Sequence, residues 1–201
     1  MEKSYKTALL VIDLQNDFTK PWGSVYREPT GEMMERVSLN IDRMREAGIL
    51  IVAVYSGGPA SVRMGKGKLG PSRVYRPDGV RRCLIEGTPG YDIDERIHID
   101  RDRDIVWHKS APSAFFKNDL DERLRALGVE NVLVCGVKTN VCCRATVNDA
   151  FSHGFRTFVI SDMVATNTPE LSAFFVEDMA KYFACAVTSE DVYRLLQENE
   201  L

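Results

Sequence analysis

Residues 131–154 read NVLVCGVKTNVCCRATVNDAFSHG. Asn131 to Cys135 is an apolar run of strand length. A short polar loop follows, and from Val141 to His153 the pattern suits a helix, with Gly154 as its stop. This is one βα unit, with two adjacent thiols, Cys142 and Cys143, at the junction of loop and helix.

The same unit recurs on both sides. Thr7 to Ile12 predicts a buried strand ending at Asp13. Met34, Val37, Ile41 and Met44 recur at helical spacing up to Gly48, and Ile49 to Tyr55 is a second strand. Ile105 to Trp107 is a short third. Asn118 suits the cap of a helix carrying Leu120, Leu124 and Leu127, stopped by Gly128. C-terminal to the quoted unit, Thr157 to Ile160 predicts a fifth strand. Thr168–Pro169 opens a helix through Leu171, Phe174, Phe175, Asp178 and Met179, and Ala184 to Val187 is a sixth strand. Thr188 and Asp191 are spaced as a capping box for the last helix. Near-continuous apolar strands alternating with helices imply an α/β fold, a parallel sheet covered on both faces. Its 201 residues fit a single domain, 1–201.

Composition narrows the function classes. A formal charge of -3 gives no clustered basic excess, so no nucleic acid is expected. No apolar run is long enough for a membrane span, and MEKSYKTALLVIDLQ predicts no export signal. The five cysteines, Cys83, Cys135, Cys142, Cys143 and Cys185, are odd in number and form no Cys-x-x-Cys pair. Neither a disulfide framework nor a structural zinc is expected, and a reducing cytoplasm is the expected setting. One stretch breaks the βα pattern. Ser56 to Gly90 is rich in Gly and Pro, and between Arg63 and Arg82 it carries Arg63, Lys66, Lys68, Arg73, Arg76, Arg81 and Arg82 against one acid, Asp78. It reads equally as a solvated excursion or as a lid or interface wall.

Ligands of open α/β sheets bind beyond the carboxyl ends of the strands. Asp13, Lys109 and Cys142 all sit at such ends. Together they supply a nucleophile, a base and a positive charge, with the backbone at Lys138 and Cys142 as oxyanion donors. A helix N-terminus and a nearby lysine predict a lowered thiol pKa at Cys142. Periodicity does not choose between Cys142 and Cys143, which differ by about 100 degrees around a helix. Cys135 and Cys185 read as core.

ALLVIDLQNDF, HKSAPSAFFKNDL and CGVKTNVCCRATVNDAFSHGFR, in this order, resemble the aspartate, lysine and cysteine motifs of the isochorismatase-like cysteine hydrolases. The resemblance implies catalytic Asp13, Lys109 and Cys142, with Cys143 at the following, usually apolar position. It also implies a cis peptide between Val137 and Lys138, a three-layer sandwich around a six-stranded parallel sheet, and a homodimer or homotetramer. Metal-binding relatives carry an Asp-x-His element after the second strand. SGGPASVRMGKGK here has neither residue, so no metal and no cofactor are expected. His98, His108 and His153 are the only histidines; His108 should point away from Lys109, and His153 ends a helix.

The stretches after the cysteine look most like N-carbamoylsarcosine and maleamate amidases, with ureidoacrylate and biuret hydrolases close. The arginine that holds the substrate carboxylate in carbamoylsarcosine amidase corresponds here to Asn167. Isochorismatases proper replace the nucleophile, which the thiol at Cys142 disfavours. The expectation is therefore a metal-independent C–N hydrolase of a small amide, carbamoyl or ureide compound, releasing ammonia. Alternatives are a family hydrolase on a non-amide substrate and an inactive member. A dinucleotide enzyme is disfavoured, because DLQNDFTKPWG lacks a glycine-rich turn. Proximity in the chain nominates Gln15, Asn16, Phe18, Trp22, Phe115 and Asn167 for substrate binding. Lys138 has two readings: a positive charge for a carboxylated substrate, or a side chain directed to solvent.

Overall fold

The computed structural model describes residues 4–59 and 83–201. Most of the basic stretch between Ser56 and Gly90 lies outside the described residues, including the question of a lid or interface wall. Six strands are all parallel: β1 (Thr7–Ile12), β2 (Leu50–Ser56), β3 (Ile105–Lys109), β4 (Asn131–Val137), β5 (Arg156–Ala165) and β6 (Cys185–Val187). Their spatial order is β3-β2-β1-β4-β5-β6. The chain first winds outward from β1 and then jumps back across it to β4. The β1/β4 pair is therefore the topological switch point, where the crevice of a doubly wound sheet opens.

Alternate β1 residues serve two cores, which is why the strand is apolar throughout. Leu9 and Val11 pack with α2 (Glu28–Glu46) and α6 (Ser189–Gln197). Ala8, Leu10 and Ile12 pack with α3 (Leu120–Ala126), α4 (Arg144–Ser152) and Met179 of α5 (Pro169–Tyr182). The remaining helix, α1 (Asn16–Thr19), is a single turn after β1. The result is the expected three-layer sandwich.

The punctuation read from sequence holds in detail. Gly48, Gly128 and Gly154 all take positive φ. The Thr188 hydroxyl accepts the Asp191 N–H, and the Asp191 carboxylate accepts the Thr188 N–H. Asn118 caps from one residue further out than expected, its Oδ1 accepting the Leu120 N–H at 3.1 Å.

The largest boundary differences fall at four elements. β3 and β4 each continue two residues beyond the expected end. β5 runs on to Ala165, past Ser161 and Asp162. Those polar residues break the apolar run, but neighbours satisfy them: Ser161 Oγ donates to the Val187 carbonyl, and Asp162 accepts from the N–H and hydroxyl of Ser189. The helix expected from Val141 begins only at Arg144, after a widened π-type turn over Thr139–Cys143. At Gly136, φ is +112°, and a Cβ would lie 2.1 Å from the Ile12 carbonyl oxygen, so only glycine lets β4 close on β1 here.

Candidate active site

Asp13 follows β1 directly, with φ +53°, its N–H donating to Val54 O at 2.8 Å. Its side chain is wholly buried. Lys109 ends β3 and reaches across β2 toward it. The Lys109 Nζ–Asp13 Oδ2 distance is 2.9 Å, with both side chains at most 1 % exposed. Nζ also donates to the Ala111 carbonyl at 3.1 Å, which fixes the ammonium from a second side. His108 points the other way, as expected, against Tyr55 and the Gly57 carbonyl.

The two cysteines separate clearly. Cys143 is fully buried in the apolar cluster beneath the sheet. Cys142 is partly exposed, and its thiol lies within hydrogen-bonding influence of both Asp13 and Lys109. The Lys138 carbonyl takes the N–H groups of Val141 and Cys143, at 3.0 and 3.2 Å, passing over Cys142. The Val137–Lys138 peptide is cis, where the resemblance places one.

The expected lowering of the thiol pKa is reversed. Burial first, then the adjacent Asp13 charge, push the Cys142 thiol up to about 12, against the opposing pull of Lys109. The helix-end expectation fails because burial penalises the thiolate most and the Asp13 charge adds to that penalty. Burial also opposes the Lys109 charge, but the adjacent Asp13 carboxylate outweighs it, so Lys109 is held above its ordinary value. The resting arrangement is an Asp⁻/Lys⁺ pair facing a protonated thiol. Such a group can move a proton from sulfur to carboxylate when an electrophile arrives.

The loop bearing Cys142 is stitched to the β5–α5 connection. Lys138 Nζ donates to Asn167 Oδ1 at 2.8 Å, Thr166 Oγ1 donates to Asn140 Oδ1 at 2.6 Å, and the Thr139 and Ser172 hydroxyls pair at 2.7 Å. Thr139, Asn140, Thr166 and Ser172 were not legible as site-supporting residues, because each meets its partner from 26 to 33 positions away. Asp17 was also missed. Its carboxylate holds the Ser24 and Leu84 N–H groups at 3.0 and 2.6 Å, and a Cβ on Gly90 would sit 2.5 Å from it.

The residues nominated for substrate binding fall in different places. Gln15 is wholly buried, and its amide spans Ser56 and Tyr91: Nε2 donates to both carbonyls and Oε1 accepts the Ser56 N–H. Asn16 Nδ2 donates to Pro89 O, while its Oδ1 is buried without a partner. Phe18 packs on the α2-side core and Phe115 lies in the opposite core beside Phe155 and His153. Trp22 is exposed. Only Asn167 is tied to the cysteine loop, through Lys138. His153 caps α4 and pairs with Asp121. Among the described residues no three His, Cys, Asp or Glu side chains gather as a metal site, and no helix is long and apolar enough to cross a membrane.

The chain is similar to known proteins in sequence and fold. The isochorismatase domain family model matches residues 7–191. The ureidoacrylate amidohydrolase RutB of Methylorubrum extorquens is 28% identical, over 94% of this chain and 86% of its own. The maleamate amidohydrolase of Pseudomonas putida is also 28% identical, over 96% and 87%. The pyrazinamidase of Pyrococcus horikoshii, solved in complex with zinc, superposes with a TM-score of 0.77 at 29% identity, covering 91% of this chain and 99% of its own. The family match takes in every strand and the flanks of the buried ion pair and thiol alike. The chain thus belongs to the isochorismatase-like cysteine hydrolases and is an enzyme of that family, a hydrolase of non-peptide C–N bonds.

Proposed function

We propose that the protein is a metal-independent amidohydrolase of a small amide, carbamoyl or ureide compound, with Cys142 as nucleophile. The observation that carries this reading is the 2.9 Å Asp13–Lys109 pair, buried at the switch point with the Cys142 thiol set against both members.

In this mechanism Asp13 takes the thiol proton as Sγ bonds to the substrate carbonyl carbon. Charge moves to the carbonyl oxygen, where the N–H groups of Lys138 and Cys142 donate to it. Lys109 keeps the Asp13 charge in place and offsets the developing thiolate. The C–N bond then breaks, Asp13 returns its proton to the leaving nitrogen, and ammonia departs from a thioester. Water, losing a proton to Asp13, attacks the thioester. The Cys142–carbon bond breaks and the proton passes back to sulfur. Two acyl-transfer steps thus share one base.

Ammonia release by the purified protein from N-carbamoylsarcosine, maleamate, ureidoacrylate, biuret and nicotinamide tests the reading. Turnover of at least one acyl or ureide compound is expected, with none in Cys142→Ala. Turnover of nicotinamide alone would sink the substrate class. Activity on an ester or vinyl ether, with no ammonia from any amide, would sink the amidase reading.

Metal independence is tested separately. Dialysis against EDTA should leave kcat within about twofold of its starting value, since no step above places an electrophile on a metal. Loss on chelation with recovery on added zinc or iron would contradict it. The enzyme is further proposed to work as a homodimer or homotetramer in a reducing cytoplasm, on a small molecule and without nucleic acid. Sedimentation at micromolar concentration should show the oligomer; a fully active monomer would overturn that assignment.

A further inference from the structure

We infer that Thr146 is a positioning residue: it ties the loop after Lys109 to the helix after Cys142 and so sets the ammonium against the thiol. This deepens the amidohydrolase reading and rests on its roles for Cys142 and Lys109.

Topology poses the problem. Lys109 ends β3, at one edge of the sheet, and Cys142 follows β4. β2 and β1 lie between them, so no shared strand ladder sets their separation. Asp13, at the end of β1, grips the ammonium from its own side only. The placement of Lys109 relative to sulfur therefore depends on how the 110–118 loop seats on α4.

The loop carries the means. The Ala111 carbonyl accepts from Lys109 Nζ at 3.1 Å. Three residues on, the Ala114 N–H donates to Thr146 Oγ1, also at 3.1 Å. The Ala114 carbonyl accepts from Asn118 Nδ2 at 2.8 Å, so both backbone groups of Ala114 are held. Ala114 and Thr146 are wholly buried, which keeps bulk water from competing for their bond. Thr146 stands four residues after Cys142, on the same side of the chain's helical path. The contacts close a ring from the ammonium through Ala111, Ala114 and Thr146 to Cys142, whose thiol meets the ammonium again.

The residues around Thr146 sharpen the argument. Cys143, Val147 and Ala150 of the same segment pack in one apolar cluster with Ala114 and Phe115. Apolar packing is non-directional and fixes a loop's distance better than its register. A valine at 146 would fill the same space. The hydroxyl adds an acceptor with a defined direction, and it is spent on the backbone three residues past the carbonyl that holds Lys109.

The test compares wild type, Thr146→Val and Thr146→Ser, with thermal unfolding to confirm that each is folded at the assay temperature. In Thr146→Val, kcat for the best amide should fall by about 10- to 100-fold, the cost of a small misplacement of reacting groups. KM should change little, and Thr146→Ser should restore most of kcat. If Thr146→Val does not fold, Thr146→Ala takes its place. A lowered melting temperature with wild-type kcat would mean that Thr146 only supports the fold, and would overturn the inference. A loss confined to KM would also overturn it.

Alkylation by iodoacetamide makes the inference testable without turnover. The rate is read at Cys142 by mass spectrometry, so the exposed Cys185 does not contribute. Loosening Lys109 withdraws the one cation that favours the thiolate against Asp13 and burial. Modification of Cys142 should therefore slow by about 3- to 10-fold in Thr146→Val, the effect of half to one pKa unit on the thiolate fraction, and recover in Thr146→Ser. That result supports the tether even if no amide is hydrolysed, in which case the amidohydrolase reading is what fails. An unchanged rate of modification overturns the inference whatever becomes of kcat.

Discussion

Replacement of Cys142 by Ala or Ser is expected to lower kcat by about 10³-fold or more, because the nucleophile of a two-step acyl transfer has no substitute nearby. Cys143→Ala should retain substantial activity. It trims a small side chain from the apolar cluster and so costs stability, on the order of 1 kcal/mol, without touching the ion pair. The discriminating measurement is the steady-state rate of each variant, with thermal unfolding to confirm that both fold. Loss of activity in Cys143→Ala alone would move the nucleophile by one residue. The raised thiol pKa sharpens the expectation for Asp13. At neutral pH sulfur holds its proton, so attack needs a base in contact, and Asp13→Asn should cost about 10² to 10⁴ in kcat while leaving the thiol in place.

Lys109→Met is expected to have the largest effect on stability. The side chains of Lys109 and Asp13 are at most 1 % exposed. Removing the ammonium strands a carboxylate in the interior, which costs about 3–5 kcal/mol. For a chain of this size that lowers the thermal midpoint by roughly 6–20 °C. The double variant Asp13→Asn/Lys109→Met removes both charges and should recover much of the stability, but none of the activity. That split separates the structural part of the pair from its chemical part. A Lys109→Met variant as stable as the parent would show that Asp13 does not depend on this lysine for its burial. Stability lost equally in the single and double variants would show that the lost packing of the stem matters more than the charge.

Much of the fold was legible because burial leaves a local trace. β1, β2 and β4 are covered by helices on both faces, so nearly every residue had to be apolar and each strand stood out as an unbroken run. Helix stops were legible because positive φ favours glycine, as at Gly48, Gly128 and Gly154. The second half of β5 left no such trace. Ser161 and Asp162 are acceptable in that strand only because Val187 and Ser189, more than 25 residues on, supply their hydrogen bonds.

For the candidate site the division follows the same physics. Asp13, Lys109 and Cys142 could be nominated from sequence because each is a polar residue at or just past the end of an apolar run, where a parallel sheet opens its crevice. Which thiol faces the crevice was not decided by periodicity; packing decided it, by sinking Cys143 into the core and leaving Cys142 against the ion pair. The direction of the thiol's pKa was likewise a tertiary outcome. A helix end and a lysine stabilise a thiolate, but burial together with the Asp13 charge outweighs them. Gln15 looked like a ligand-binding amide until Ser56 and Tyr91, 41 and 76 positions away, were seen to hold it. The direction of the Lys138 side chain was a tertiary outcome too: it reaches Asn167 at 2.8 Å. Residue type and spacing set which groups reach the rim; the contacts that fix their charge and direction come from distant segments, which only the folded chain brings within hydrogen-bond reach.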